Sequence, residues 1–178
     1  MTKKQLILDS SLELFTEKGV KSTTTKSIAI HADVSEALIF KYFGTKDNLL
    51  DEILRSEYQQ ASKKTLEYLQ EPDALKYILK IVELPVILVN SHRAFWKMQY
   101  NILSLNQLSK KYHRAFITPC EDHLKHAFSE LNYTDPELEA ELLLMLIDAL
   151  WKHYASGRKD EQMTRELIGL IQRKYMNN

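Results

Sequence analysis

Apolar positions along the 178-residue chain recur with the period of an α-helix, and no segment alternates as a β-strand does. In the first segment, Ile7, Leu14 and Phe15 fall on one side of a helix of 3.6 residues per turn. Thr2 is suited to cap this helix and Gly19 to end it. The pattern continues to the C-terminus, so it predicts an all-α protein of about nine helices.

Two short helices follow, and the residues between them favour a tight turn. Thr24 or Thr25 can cap the first of these helices, and Ser35 can cap the second, which reaches about Tyr42. Asp33 lies where the chain must turn, and Asp adopts the left-handed conformation more readily than most residues other than Gly. Two short helices joined in this way form a helix-turn-helix.

Longer helices are predicted for the rest of the chain. The fourth begins at Thr45 and is long enough to link two halves of the molecule. Pro85 is expected to kink or end a later helix, and Pro119 to interrupt or kink another. The expected organisation is a three-helix domain with the helix-turn-helix at residues 1–46 and a larger helical domain at residues 47–178.

The last two predicted helices favour a contact with a second copy of the chain. Asp135 and Pro136 mark the start of the first of them, and Asp160 is predicted to open the second. Residues 142–151, LLLMLIDALW, are apolar almost all the way round, with Asp148 as the one charged residue. Such a helix needs cover on two sides, from a second copy or, alternatively, from a monomer's own core. The predicted interface residues are Leu142, Met145, Leu146, Ala149, Leu167, Leu170 and Ile171.

Composition and charge narrow the class of protein. The apolar fraction of 44% suffices for a folded core, and a single cysteine, Cys120, excludes an internal disulfide. The N-terminus lacks the long apolar region of a signal peptide, so we expect a cytoplasmic protein without a membrane segment. The 24 basic and 24 acidic residues balance, so any binding to nucleic acid must depend on locally placed lysines.

Residues 6–50, roughly a quarter of the chain, resemble the DNA-binding domain of TetR-like transcriptional regulators. The resemblance implies a homodimer, a divergent C-terminal ligand-binding domain, and a repressor that a small molecule releases from DNA. Asp33 and Ala37 depart from the pattern because the family often has Gly there, and Phe40 because Tyr is usual. The matching positions are Ile7-Leu8, Ser10, Ser11, Leu14-Phe15, Gly19, Thr24-Thr25, Ile28-Ala29, Ala32, Val34-Ser35, Tyr42-Phe43, Lys46 and Leu49-Leu50.

The second short helix is a candidate to read the major groove of DNA, where the first residues of a helix meet base edges. Leu38, Ile39 and Phe43 are predicted to anchor it in the core. Glu36 could accept from a cytosine amino group, or it could simply favour the first turn of the helix. Phe40 could contact a thymine methyl group, or it could belong to the core. The predicted DNA-binding residues are Thr25, Lys26, Ser35, Glu36, Ala37, Phe40, Lys41, Tyr42 and Lys46.

Lys46 is the residue that points most directly to an anion. It lies in the first turn of a helix, where the macrodipole opposes a positive charge. A DNA phosphate nearby would relieve that conflict, and the free N–H groups of a helix N-terminus would also bind it. The alternative is an ordinary solvated lysine.

Aromatic and flexible residues are abundant between residues 74 and 131 and could line an apolar effector cavity. Each of them could equally be an ordinary core residue. No charged anchor for a ligand is evident from the sequence. The candidate ligand-binding residues are Phe95, Met98, Gln99, Ile102, Phe116, Cys120, His123 and Trp151.

Neither a metal site nor a catalytic group is predicted. Cys120, His123 and His126 are spaced by three, but the first and last are about 120° apart around a helix and do not converge. The favoured function is a homodimeric repressor that leaves a palindromic operator when a small apolar or aromatic effector moves the fourth helix. The alternatives are an all-helical binding module without a DNA role and, less favoured, a small enzyme using His123 and Cys120.

Overall fold

The computed structural model describes residues 2–157 and 161–176, and all secondary structure in these residues is helical. The all-α prediction is therefore confirmed. The predicted helix start at Asp160 lies outside the described residues. The ten helices are α1 Lys3–Lys18, α2 Thr25–His31, α3 Glu36–Phe43, α4 Lys46–Leu69, α5 Ala74–Ile81, α6 Leu84–Ser91, α7 Arg93–Ile102, α8 Gln107–Glu130, α9 Pro136–Ala155 and α10 Glu161–Met176.

Proline accounts for the one helix beyond the expected number. The segment predicted as one helix is divided into α5 and α6, and Pro85 lies in the first turn of α6. Proline suits this position because backbone N–H groups of the first turn have no partner within the helix. Pro119, by contrast, lies inside α8, which continues through it without interruption.

Local side-chain bonds define the helix-turn-helix. The Thr24 hydroxyl accepts from the backbone N–H of Ser27, and the Ser27 hydroxyl accepts from that of Thr24, both at 3.1 Å. Ser35 caps α3 by accepting from the Leu38 N–H at 3.3 Å. Asp33 has φ of 50°, so the expected left-handed turn is confirmed. At α9, Asp135 holds the predicted N-cap position, although its side chain makes no capping hydrogen bond.

Helix α4 joins the N-terminal helices to the rest of the molecule. Its 24 residues contact α1 and α3 near its start, and α5 and α8 elsewhere. A second connection is formed by α1 and α7, where the Thr16 hydroxyl donates to the Ala94 carbonyl at 3.0 Å. The predicted boundary after residue 46 therefore falls within the first turn of a continuous helix, and it stays a prediction.

Aromatic rings fill the core of the C-terminal half, where α8 packs against α4, α5 and α9. The ring centroids of Trp96 and Trp151 are 4.6 Å apart, and Tyr58 of α4 packs edge-on against Phe95 and Trp96. Among the described residues, no helix combines the length and hydrophobicity that a membrane span requires.

Candidate DNA-binding surface and effector cavity

Helix α3 has one buried side and one exposed side. Ile39 is 1% exposed and Phe43 is 7% exposed, so both belong to the core, whereas Leu38 is only partly buried. Phe40 is 50% exposed, so it lies outside the core, and the alternative that it is a core residue is wrong. The exposed predicted contact residues of this helix and its cap are Ser35, Ala37, Phe40, Lys41 and Tyr42.

Glu36, at the start of α3, is held by Thr25, at the start of α2. The Thr25 hydroxyl donates to Glu36 Oε1 at 2.5 Å, which brings two of the predicted DNA-binding residues together. The second carboxylate oxygen, Oε2, has no hydrogen-bond partner among the described residues. Glu36 is therefore oriented by the protein, and it retains an acceptor for an outside group.

Lys46 has partners that the sequence did not reveal. Its ammonium group donates to the backbone carbonyls of Val20 and Thr23, both at 2.8 Å. The partial negative charge of these two carbonyl oxygens offsets the unfavourable effect of the helix macrodipole on Lys46. The sequence alone suggested a DNA phosphate for this role. An ammonium group has three N–H donors, so one remains for a further acceptor. A phosphate contact by Lys46 therefore stays a prediction. The other two lysines predicted to bind DNA, Lys26 and Lys41, are exposed.

Two concave sites lie around α8 in the C-terminal half. The α8–α9 cavity has a volume of about 270 Å³ and is lined from both helices, with Trp151, Ile117 and Leu144 among its apolar residues. The α4–α8 groove, of about 580 Å³, is lined by residues that include Tyr58, Tyr112 and Phe116.

The predicted ligand-binding residues are only partly brought together. Trp151 lines the cavity and Phe116 lines the groove. Phe95 and Met98 are buried in the core, at 1% and 0% exposure, and Ile102 is partly buried. Gln99 is also buried, and its Oε1 accepts from the Ser109 hydroxyl at 2.9 Å, so its amide is already engaged within the protein.

Cys120 and His123 lie about one turn apart on α8 but differ in exposure. Cys120 is 2% exposed, and burial raises the pKa of its thiol to about 11. His123 is exposed and lines neither the cavity nor the groove; its Nδ1 lies 3.1 Å from the Pro119 carbonyl. Within residues 2–157 and 161–176, no three His, Cys, Asp or Glu side chains are grouped so that they could hold a metal ion.

A polar group at the cavity wall was missed by the sequence analysis. The Tyr58 hydroxyl of α4 lies 3.1 Å from His113 Nδ1 of α8. His113 Nε2 lies 3.8 Å from Asp148 Oδ1 of α9, and the Tyr100 hydroxyl of α7 donates to that same oxygen at 2.9 Å. Residues of α4, α7, α8 and α9 thus meet in this group. The feature of the sequence that could have indicated it was the single charge of Asp148 within an apolar run.

Burial sets the ionisation of this group. It lowers the pKa of His113, against a smaller opposing effect of Asp148, so the imidazole is neutral at neutral pH. It raises the pKa of Tyr100 and of Tyr58, and Asp148 adds to both shifts. The two side chains nearest to the Asp148 carboxylate, Tyr100 and His113, are therefore uncharged, and the Asp148 side chain is 53% exposed.

Helices α9 and α10 each expose large apolar side chains. Leu142 and Met145 of α9 are 51% and 62% exposed, and Leu167 and Leu170 of α10 are 37% and 48% exposed. Leu146 is partly buried and Ala149 is exposed. Ile171, in contrast, is 7% exposed and packs in the core of its own chain, so it differs from the other predicted interface residues.

The N-terminal geometry defines the class of protein: a helix-turn-helix protein whose second short helix is exposed along one side. Residues 7–53 match the family model described as bacterial regulatory proteins, tetR family. Over these residues the chain is similar to the N-terminal helix-turn-helix domain of the TetR family.

Two curated relatives come from Bacillus subtilis (strain 168). The uncharacterised HTH-type transcriptional regulator YvkB is 41% identical over 75 residues, which cover 42% of this chain and 39% of YvkB. The uncharacterised HTH-type transcriptional regulator YuxN is 27% identical over 172 residues, which cover 96% of this chain and 51% of YuxN. The chain thus spans about half or less of the length of these relatives.

A solved structure shares the fold over nearly the whole chain. The crystal structure of AibR in complex with isovaleryl coenzyme A and operator DNA superposes with a TM-score of 0.72. The match covers 95% of this chain and 97% of that chain, at 20% sequence identity. At 20% sequence identity, this similarity shows that the two proteins share a fold and does not extend to function.

Proposed function

We propose that the protein is a homodimeric repressor that binds a palindromic operator and leaves it when a small apolar or aromatic effector binds the C-terminal half. The observation that carries this proposal is the exposed side of α3, where Phe40 is 50% exposed beside a fully buried Ile39. A capped helix of this kind fits the major groove with its first residues at the base edges.

The proposed operator contacts divide into two kinds. Thr25, Lys26, Tyr42 and Lys46 are assigned to phosphates, because hydroxyl groups, lysines and helix N-termini bind the DNA backbone. The residues assigned to the groove and its edge are Ser35, Glu36, Ala37, Phe40 and Lys41, on or just before α3.

The exposed face of α9 and α10 supports the homodimer. Groups of exposed apolar side chains often mark a protein–protein interface, and Leu142, Met145, Leu167 and Leu170 are all exposed on these two helices. Pairing this face with the same face of a second copy gives an isologous four-helix interface. A two-fold pair would present two α3 helices to half-sites about 34 Å apart.

Effector release would use α4, which joins the helix-turn-helix to the aromatic core. AibR, whose fold is shared, was crystallised with both isovaleryl coenzyme A and operator DNA. By analogy, an effector bound beside α8 would shift α4 through Tyr58 and change the spacing of the two α3 helices. This role requires no catalysis and places the protein in the cytoplasm.

The proposal is tested by selecting duplexes from a random-sequence DNA library with the purified protein. We expect an inverted repeat whose half-sites are about one helical turn apart. Selected duplexes that share no sequence motif, or that contain only direct repeats, would contradict the proposal.

A pair of charge reversals locates the DNA-binding surface. Lys41→Glu on α3 is expected to abolish binding to the selected duplex, because it places a carboxylate against the DNA. Lys97→Glu on α7, also exposed, serves as the matched control and is expected to bind as the wild type does. Equal loss in both variants would indicate a general charge effect rather than a surface centred on α3.

A further inference from the structure

Asp148 is the charged residue that the DNA-binding role does not use. It lies within the apolar run of α9 and lines the α8–α9 cavity. Its Oδ1 accepts from the Tyr100 hydroxyl at 2.9 Å, and the neutral His113 ring lies beyond hydrogen-bond distance at 3.8 Å. Asp148 forms no ion pair with a Lys or Arg among the described residues.

The other charged residues that line the cavity are two of each sign, Lys110 and Arg114 against Glu121 and Glu141. Arg114 and Glu121 form an ion pair at 3.1 Å, and Lys125 also pairs with Glu121 at 2.8 Å. Lys110 on α8 and Glu141 on α9 carry opposite charges. With Asp148 the lining carries one net negative charge, and this carboxylate, 53% exposed, is available to pair with a cationic ligand.

Trp151 supplies a second polar group and an aromatic wall. Its ring lines the cavity beside His113, with ring centroids 6.3 Å apart, and the residue is 1% exposed. Its indole N–H has no hydrogen-bond partner among the described residues. A buried donor without a partner is destabilising, and an acceptor oxygen of a ligand would satisfy it.

We propose that the α8–α9 cavity binds a small organic amine in its cationic form, with an apolar body and an oxygen acceptor. The ammonium group contacts Asp148 and the electron-rich aromatic rings, which attract cations. The oxygen accepts from the Trp151 N–H, and the body packs on Ile117 and Leu144. This inference rests on the proposed effector role and identifies the chemical class of the effector.

Four probes with the same phenyl ring separate the contribution of the ammonium group from that of the oxygen acceptor. They are 2-amino-1-phenylethanol, 2-phenylethylamine, 1-phenylethanol and mandelate, titrated calorimetrically into the full chain without DNA. We expect 2-amino-1-phenylethanol to bind about tenfold more tightly than 1-phenylethanol, because a charge-assisted hydrogen bond is added. Mandelate is expected to bind most weakly. Equal affinities, or preference for the alcohol or the anion, would overturn the proposal.

Asp148→Asn keeps an oxygen that can accept from Tyr100 and removes only the charge. We expect this variant to lose the preference for the amines, whereas Asp122→Asn, at an exposed position of the same α8 that carries His113, keeps it. Trp151→Phe should remove the advantage of 2-amino-1-phenylethanol over 2-phenylethylamine. An amine preference that persists in Asp148→Asn would also overturn the assignment.

Operator binding is measured separately on the wild type and on Asp148→Asn. Wild-type DNA binding with no amine preference would contradict this inference alone. Amine binding that depends on Asp148 without any DNA binding would contradict the proposed repressor and leave the amine site standing.

Discussion

The hydroxyl of Tyr58 and the Nδ1 of His113 lie 3.1 Å apart, which joins α4 to α8 by a hydrogen bond. Both residues also belong to the aromatic core, since their ring centroids are 6.3 Å apart. His113 lines the α8–α9 cavity, and α4 begins beside the helix-turn-helix. The bond therefore connects the wall of the proposed effector site with the helix that leads to the DNA-binding domain.

Removing this hydroxyl tests its contribution to stability. Tyr58→Phe leaves the His113 nitrogen without its partner, so we expect a loss of about 1–2 kcal/mol in the free energy of unfolding, measured with urea. Tyr68→Phe, on the same helix and partly exposed, is the control and should change stability by no more than about 0.5 kcal/mol. Equal effects would mean that the Tyr58 bond contributes nothing specific.

The lowered pKa of His113 predicts a loss of stability in acid. The unfolded imidazole binds its proton near pH 6.5, whereas burial holds the folded pKa below that value. As pH falls below about 6.5, protons therefore favour the unfolded chain. The unfolding free energy of the wild type should fall relative to that of His113→Asn between about pH 7 and 5. A constant difference across this range would be incompatible with the burial effect.

His92 acts in the opposite direction. Its Nδ1 lies 2.6 Å from Glu57 Oε2, and the hydrogen bond that the imidazole donates to this carboxylate raises the pKa of His92. The resulting stabilisation is fully present below about pH 6.5 and is lost as pH rises through the raised value. Glu57→Gln should therefore destabilise the protein more at pH 6 than at pH 9, in urea titrations at each pH. The reverse order would show that the ion pair does not form.

Neighbouring residues of α3 should separate DNA binding from folding. Phe40→Ala removes a ring that is 50% exposed, so we expect little change in stability and a marked loss of affinity for the selected duplex. Ile39→Ala opens a cavity at a position that is 1% exposed and should cost about 2–4 kcal/mol of stability. Full DNA affinity in a folded Phe40→Ala protein would remove Phe40 from the contact surface.

Lys46 is expected to have two roles. Lys46→Met keeps the alkyl chain but removes both bonds to the carbonyls of Val20 and Thr23, so stability should fall by about 1 kcal/mol. If the third N–H contacts a phosphate, the slope of log affinity against log salt should also decrease by about 0.9. Lys97→Met, at an exposed position of α7, is the control. A lower stability with an unchanged slope would make Lys46 purely structural.

The exposed face of α9 predicts which substitution separates the dimer. Leu142 is 51% exposed in the single chain, so Leu142→Glu should leave the fold intact and place two carboxylates in an isologous interface. We expect monomers in sedimentation velocity. Leu105→Glu, at a position 75% exposed outside this face, should remain dimeric. A dimer that survives Leu142→Glu would place the interface elsewhere.

Local features of the fold were predictable because their causes lie within a few residues. The capping hydroxyls of Thr24 and Ser35 and the turn at Asp33 depend on neighbours along the chain, and the structure confirms them. Phe40 was ambiguous because helical periodicity alone does not say how much of a short helix the rest of the protein covers.

The sequence by itself determined the helical class, the helix-turn-helix and the apolar character of α9, since these follow from periodicity, caps and composition. Tertiary structure alone decided that Lys46 bonds to the Thr23 carbonyl and that Tyr58 meets His113, 55 positions further along the chain. It also placed the exposed Asp148 beside Tyr100 and His113 at the wall of a cavity. Such contacts depend on how whole helices pack in three dimensions, and the pattern along one helix carries no record of the side chains that another helix brings to it.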